Sequence, residues 1–333
     1  MGIELKTQKM LWGRSGNICA FPNCKKELVM DISDTDDISV VGEEAHIVAR
    51  KQDGPRGNSS MTSEHRDKYD NLILLCRIHH KVIDDHPDNY SVENLIDLKK
   101  THENWVKQNL NLDNKKQMED EIYATYIDEF IRLADINNWK CWTSFLFGSD
   151  LPSIRTEQYN NLRELLKYII SRVWYNRYPD LEKSLLNFKN ILDDLLNVFD
   201  KYRENERDDE EIWTRRFYKI DEWNPEKYEL LYNKYMYHVK LVQDITLELT
   251  RAANYVFDKV RENLFPSFRI NEGVLLVEIG PFADLSWHTY RVEYRNEEKI
   301  EMPYPGLKKF MDIRSTRDLA YGESINEDYF PFI

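Results

Sequence analysis

In YDNLILLCRIHHKVIDD, residues 69–85, a carboxamide, a thiol and two adjacent imidazoles crowd together as Asn71, Cys76, His79 and His80. The C-x2-H spacing of Cys76 and His79 lets one helical turn present both groups to one metal ion. Cys19 and Cys24, spaced C-x4-C, supply the other half of a closed tetrahedral Zn2+ site. The competing reading, four unrelated core residues, must explain why three of only four cysteines fall in the first quarter of the chain. His80 is then left over beside that structural metal, with Asn71 shortly before it and His46 further back in GEEAHIVAR. An imidazole titrates closest to working pH without special surroundings, so His46 is a candidate general base. Alone, a strand histidine is more often structural, and Asn71 an ordinary cap or turn residue. Together with a second imidazole as cation ligand, the set implies metal-assisted hydrolysis.

Short elements must position these groups. Residues 1 to about 16 read as a helical or extended lead-in, broken at Arg14, Ser15 and Gly16 before the knuckle CAFPNC. There Pro22 and Asn23 suit a tight turn. ELVMDIS (27–33) and ISVVGEEAHIVAR (38–50) read as two strands that together supply the two β elements. KQDGPRGNSSMTSEH interrupts as a loop before LILLC. Ser91 is a plausible N-cap for a helix that spaces Leu95, Leu98, Trp105 and Val106 along one face.

This pattern resembles the HNH endonuclease family, in which a zinc-pinned ββα unit carries a histidine base, an asparagine and a metal-binding histidine. The resemblance runs from residue 15 to about 107, on GEEAHIVAR with GPRG, DNLILLC, HH-x2-IDD and K-x-THE. It implies that His46 takes a proton from water and that the Asn71 amide holds the loop carrying that base or, as in some members, approaches the metal. It also implies that His80 binds a catalytic divalent cation, Mg2+ or Mn2+. Many members place a further ligand immediately before the base, where this chain has Ala45. Glu44 is the expected substitute because it shares the strand face of His46, with Glu43, Asp84 and Asp85 as further candidates. Arg50, Arg56 and Lys81 are the expected phosphate anchors on DNA, although each alone reads as a solvated charge. The motif run looks like HNH modules used as effectors in bacterial antiviral systems.

At 333 residues, 41% hydrophobic, the chain is long enough for two domains. With 32% charged residues, no apolar run of membrane-spanning length and no signal-peptide core at the start, a cytoplasmic protein with no membrane contact is expected. The net charge of −13 opposes a general DNA-binding surface. Its acid gathers in SDTDD (33–37) and ENERDDEE (204–211), while Arg50, Lys51, Arg56, Arg66, Arg77 and Lys81 surround the candidate site. Cys141 reads as a buried small hydrophobe.

The polar stretch 111–121 reads as a linker between an HNH nuclease domain (1–110) and a mainly helical domain (122–333). IYATYIDEFIRLADI, EQYNNLRELLKYIISRVWYNRY and LEKSLLNFKNILDDLLNVFDKY repeat apolar residues at three and four. A longer helix from Asn224 and Pro225 to Pro266 would extend roughly 60 Å at 1.5 Å per residue, a length that often makes an oligomer interface. Two strand runs follow, the short apolar GVLLVEIGPF and HTYRVEYRNEEKIEMPYP, which alternates around an Arg-Asn-Glu-Glu turn, and most of the tyrosines and tryptophans lie in this half as core or, alternatively, a ligand cage.

The fold class expected is therefore α+β: a ββα-metal module, then a helical domain with a small antiparallel β element. The expected function is DNA endonuclease, with a second copy of the chain, a defence protein or a small-molecule activator as expected partners. A non-catalytic zinc module, or a restriction or toxin subunit active only with a partner, are the alternatives.

Overall fold

The computed structural model describes residues 2–30, 39–109, 114–147, 151–205, 210–282, 284–299, 303–322 and 329. It divides into two compact units, one of residues 1–129 with 264–268 and one of 130–263 with 269–333. The fold is α+β, with small antiparallel sheets among many helices.

The first unit opens on α1 (Leu5–Arg14), so the lead-in is a helix. Gly16 and Asn17, both at positive φ, end it and turn the chain into the knuckle. Strands β1 (Val29–Met30) and β2 (Ser39–Val40) pair antiparallel with each other and, among the described residues, with no further strand. Residues 31–38, including the end of the expected first strand and the acidic run 33–37, lie outside the described residues. The ladder that carries the candidate site is different from the one expected. β3 (Gly42–His46) pairs antiparallel not with the earlier strand but with LILLC, which follows α2 (Ser63–Arg66) as β4 (Leu72–Cys76). All five β4 residues are buried, as a strand covered on both sides requires.

The chain then passes directly into α3 (Arg77–Asp85), completing a ββα unit, and into α4 (Val92–Asn109). The Ser91 hydroxyl accepts from Asn94 N, the N-cap bond expected of it. The buried stripe of α4 is Leu95, Lys99, His102 and Val106, rotated from the expected one. Two polar residues replace Leu98 and Trp105 because each has a partner: the Lys99 ammonium lies 3.4 Å from the Tyr69 ring centroid, and His102 Nε2 is 3.0 Å from Ser15 O. Helix α5 (Asn114–Leu133) begins inside the stretch read as a linker, of which 111–113 lie outside the described residues.

The second unit contains α6 (Trp139–Phe147), β5 (Ser153–Arg155), α7 (Thr156–Ser171), α8 (Pro179–Asp200), β6 (Arg203–Asn205), β7 (Glu211–Thr214) and α9 (Pro225–Asn263). It closes with the hairpin β8 (Leu276–Ile279) and β9 (His288–Arg291), then α10 (Leu307–Ile313). The acidic run at 204–211 contributes to a three-stranded sheet ordered β5-β7-β6; its middle, 206–209, lies outside the described residues. The Arg-Asn-Glu-Glu turn is one turn of 3-10 helix at Asn296–Glu298, and 300–302 beyond it are not described. Trp139, Trp142 and Leu146 form the buried face of α6, which leaves Cys141 on the outer face, exposed rather than buried as expected.

The long helix α9 starts as its sequence requires: Asn224 Oδ1 accepts from Lys227 N and Pro225 occupies the first helical position. Every residue from Leu241 to Phe257 is buried, so this stretch is the axis of its own unit rather than a free face. The buried stretch includes charge. Asp244 accepts from Arg314 at 3.1 Å and from the backbone of Gly322, while Glu248 accepts from Arg317 at 2.6 Å. Arg251 reaches Asp318. Opposite charges removed from water tolerate each other only in pairs. Among the described residues no helix is long and apolar enough to cross a membrane. Replacing Arg314 by Met strands Asp244, 2% exposed, without its cation; the expected loss is about 3–5 kcal/mol of stability, measured by chemical denaturation.

Candidate active site

The four residues read as zinc ligands lie together. One ligand atom from each of Cys19, Cys24, Cys76 and His79 lies within 4.8 Å of all the others. Cys76 Sγ is 3.2 Å and Cys19 Sγ 3.7 Å from His79 Nδ1. Tetrahedral Zn–S bonds of about 2.3 Å place neighbouring sulfurs about 3.8 Å apart, so the donor set fits the ion. The knuckle is built for it. Asn23 and Lys25 take positive φ, Cys19 N bonds Lys26 O, and Ala20 N bonds Leu74 O to seat the turn on β4. Cys76 N donates to Cys19 Sγ at 3.3 Å, and the Phe21 ring stacks on His79 with centroids 3.9 Å apart. Burial pushes the Cys19 thiol up to about 12 against the backbone N–H bonds from Cys76 and Phe21 that lower it, and burial lowers His79. A thiolate here needs a cation beside it, and the neutral imidazole is ready to ligate.

His80 follows on the next position of α3, with a carboxylate at each ring nitrogen. Its Nδ1 is 2.7 Å from Glu43 Oε2 and its Nε2 3.3 Å from Asp84 Oδ2. His80 and Asp84 are one helical turn apart, on one face of α3. Burial works against ionisation of Glu43, but bonds from His80 and Arg77 hold its carboxyl below the usual range. Glu44, the expected ligand, is turned the other way: it accepts from Gln8 Nε2 at 3.1 Å and Trp12 Nε1 at 2.9 Å, both on α1. The pleat explains the exchange. Glu43 and Ala45 share the face toward α3, and Ala45, fully buried, leaves room for the helix to pack. Lacking the ligand next to His46, the strand presents one two residues earlier.

Residues 19–87 match the family model described as HNH endonuclease. No curated protein matches the chain. The HNH match takes in both halves of the zinc set, His46, Asn71 and the Glu43–His80–Asp84 group.

Within the HNH region Asn71, 3% exposed, behaves as a splint. Its Oδ1 accepts from Val48 N at 2.9 Å, and its Nδ2 donates to Val48 O and Arg66 O. The chain just beyond His46 is thereby fixed. His46 itself, at the end of β3, points Nε2 at Asp67 Oδ1, 2.9 Å away, and its side chain is 22% exposed. His46 and His80 each take a different carboxylate. One guanidinium links their neighbourhoods: Arg56 donates to Ile47 O at 2.7 Å, Ile83 O at 2.6 Å and Asp84 Oδ1 at 2.7 Å.

Of the three expected phosphate anchors, Arg56 is corrected by this geometry. Its side chain is 5% exposed and committed to protein acceptors, so it braces the site and does not reach a substrate. Arg50 is half exposed and pairs with Asp67, and Lys81, 75% exposed, pairs with Asp85. Arg66 is buried too, donating to Met61, Ala49, Gly57 and Ser59 carbonyls and so shaping the loop that leads from His46 to Asp67. Neither Arg66 nor Asp67 carries a sequence signal for these roles.

Elemental analysis is expected to find one zinc per chain. Cys76→Ser or chelation should lose it and expose residues 19–87 to limited proteolysis, since binding energy of such sites is folding energy. Arg56→Ala is expected to cost about 2 kcal/mol by urea denaturation, from buried carbonyls and a carboxylate left without a donor.

Proposed function

We propose that this protein is a metal-dependent endonuclease that hydrolyses DNA phosphodiester bonds through its HNH region. The observation that carries the reading is His80, held between Glu43 and Asp84 on a zinc-braced ββα unit and joined by Arg56 to the segment bearing His46. Two carboxylates and an imidazole form a hard-to-borderline donor set that suits Mg2+ or Mn2+. A cation held there would supply positive charge to the scissile phosphate and the leaving oxygen. His46, partly exposed, takes the proton from the attacking water, and Asn71 keeps the backbone beside it from shifting. Exposed Arg50, Arg77 and Lys81 offer charge to the phosphate backbone, which favours cleavage with little sequence preference.

An effector role in bacterial antiviral defence is supported by the GEEAHIVAR, GPRG and HH-x2-IDD run alone. For the second unit, a sensing or assembly role with a second copy, a defence protein or a small activator is favoured by the exposed aromatic start of α9. Trp223 is 95% exposed there and Tyr228 45%. The second reading is a non-catalytic zinc module, which the engagement of both His80 ring nitrogens by carboxylates favours.

Plasmid nicking separates the two. With Mg2+ or Mn2+ the wild type is expected to nick, and His46→Ala to lose at least about 100-fold in rate, the low end of a general base's contribution. Glu43→Gln should raise the cation concentration giving half-maximal rate about tenfold or more, as loss of a charged ligand does, whereas Glu44→Gln leaves that concentration unchanged. Nicking that persists in His46→Ala defeats the catalytic assignment.

A further inference from the structure

The carboxylate facing His46 belongs to none of the groups that the HNH pattern calls on. Asp67 is the residue immediately after α2, and its backbone N–H is bonded to His65 O. The helix is pinned by the buried Arg66 side chain, whose donors hold four carbonyls of the preceding loop. Asp67 is therefore delivered by a fixed scaffold rather than by a loose loop. Its two oxygens are spoken for separately: Oδ1 is 2.9 Å from His46 Nε2, and Oδ2 is 3.2 Å from Arg50 Nη2. An ionised carboxylate only accepts hydrogen bonds, so the ring nitrogen facing it must carry the proton.

We infer that Asp67 is the positioning residue for His46, fixing the N–H on Nε2 and leaving Nδ1 as the nitrogen that takes the proton from water. The inference rests on the hydrolytic reading of this site. Arg50 completes the clasp by holding the outer oxygen, so that Asp67 cannot rotate to offer anything else.

That second contact makes the arrangement testable by an isosteric change. In Asp67→Asn, Arg50 still requires an acceptor and keeps the amide oxygen on its own side. The amide NH2 then faces His46 Nε2 and must find a lone pair there. The ring answers by moving its proton to Nδ1, and the base nitrogen is blocked with no change of shape.

The experiment uses the full-length, zinc-loaded chain with 15N-labelled histidine, the His46 signals being assigned by their loss in His46→Ala. Expected for the wild type is the Nε2–H tautomer. Expected for Asp67→Asn is the Nδ1–H tautomer, with kcat for plasmid nicking reduced about 100-fold and KM within about twofold. Adding Arg50→Ala to Asp67→Asn frees the amide to rotate, so the Nε2–H signal and about tenfold of the lost kcat should return, while KM rises with the phosphate contact that Arg50 gives up. Asp67→Ala guards against misfolding of the first variant; a mixture of tautomers and a smaller fall in kcat are expected. An Nδ1–H tautomer in the wild type, or Asp67→Asn with undiminished kcat, overturns the clasp. A wild type that shows the Nε2–H tautomer, switches it in Asp67→Asn, yet cuts no nucleic acid, upholds the clasp and overturns the hydrolytic reading instead.

Discussion

The first unit depends on a chain of contacts that begins with two sulfurs from the knuckle meeting a sulfur and an imidazole at the junction of β4 and α3. A two-stranded ladder with one short helix buries too little apolar surface to hold a unique arrangement unaided. Joining Cys19 and Cys24 to Cys76 and His79 across more than fifty residues of chain fixes where β4 ends and at what rotation α3 begins. Because His80 is the next residue after His79, the rotation that satisfies one imidazole also sets the direction of the other. The Cys3His cluster thus sets the direction of His80 without sharing a residue with the carboxylates that face it.

From that fixed helix the remaining parts are held by buried polar groups rather than by apolar packing. Asn71 replaces a missing strand partner for Val48 with its own amide, satisfying a donor and an acceptor that no ladder reaches. Arg56 and Arg66 do the same for a loop rich in glycine and small polar residues, which has little hydrophobic surface of its own. At Gly57 a methyl group would lie 2.4 Å from Lys51 O, so the loop can close around Arg66 only with glycine there. The outcome is an irregular segment, from Ile47 to Asp67, with strand-like precision at both its ends. A guanidinium can do this because its five donors are arranged in a plane and lose little freedom per bond formed.

How far the sequence reveals this differs by type of interaction. The zinc set is legible because sulfur and imidazole at those spacings have few other uses, and the long α9 because its cap, its first proline and its periodicity agree. The ββα unit is legible in outline, but its strand pairing is not: a two-residue ladder before Gly42 and the buried LILLC run look alike to a hydropathy reading. Alternation alone does not choose Glu43 over Glu44, because it does not say whether the face of Ala45 or that of His46 turns toward the helix. Arg56 and Lys99 mislead for one reason. A cation is read as solvated unless its acceptors are known, and those acceptors are backbone carbonyls and a ring that sequence does not announce. Cys141 is the converse, a small apolar residue whose exposure follows only from which face of α6 its two tryptophans claim.

The two units use buried charge to different ends. In the second, Asp244, Glu248 and Arg251 on α9 hold Arg314, Arg317 and Asp318, so the ionic contacts fix a distant part of the chain against the central helix. Hydrophobic replacements of similar volume would cost less in desolvation but would not dictate which residue meets which. In the first unit the charged groups are partly exposed and arranged around two imidazoles, each with a carboxylate within reach of a ring nitrogen. Charge in a dry interior selects one packing; charge at a wet rim selects one protonation state. The same chain relies on both, and only the second kind bears directly on the chemistry proposed for Glu43, His46, Asp67, His80 and Asp84.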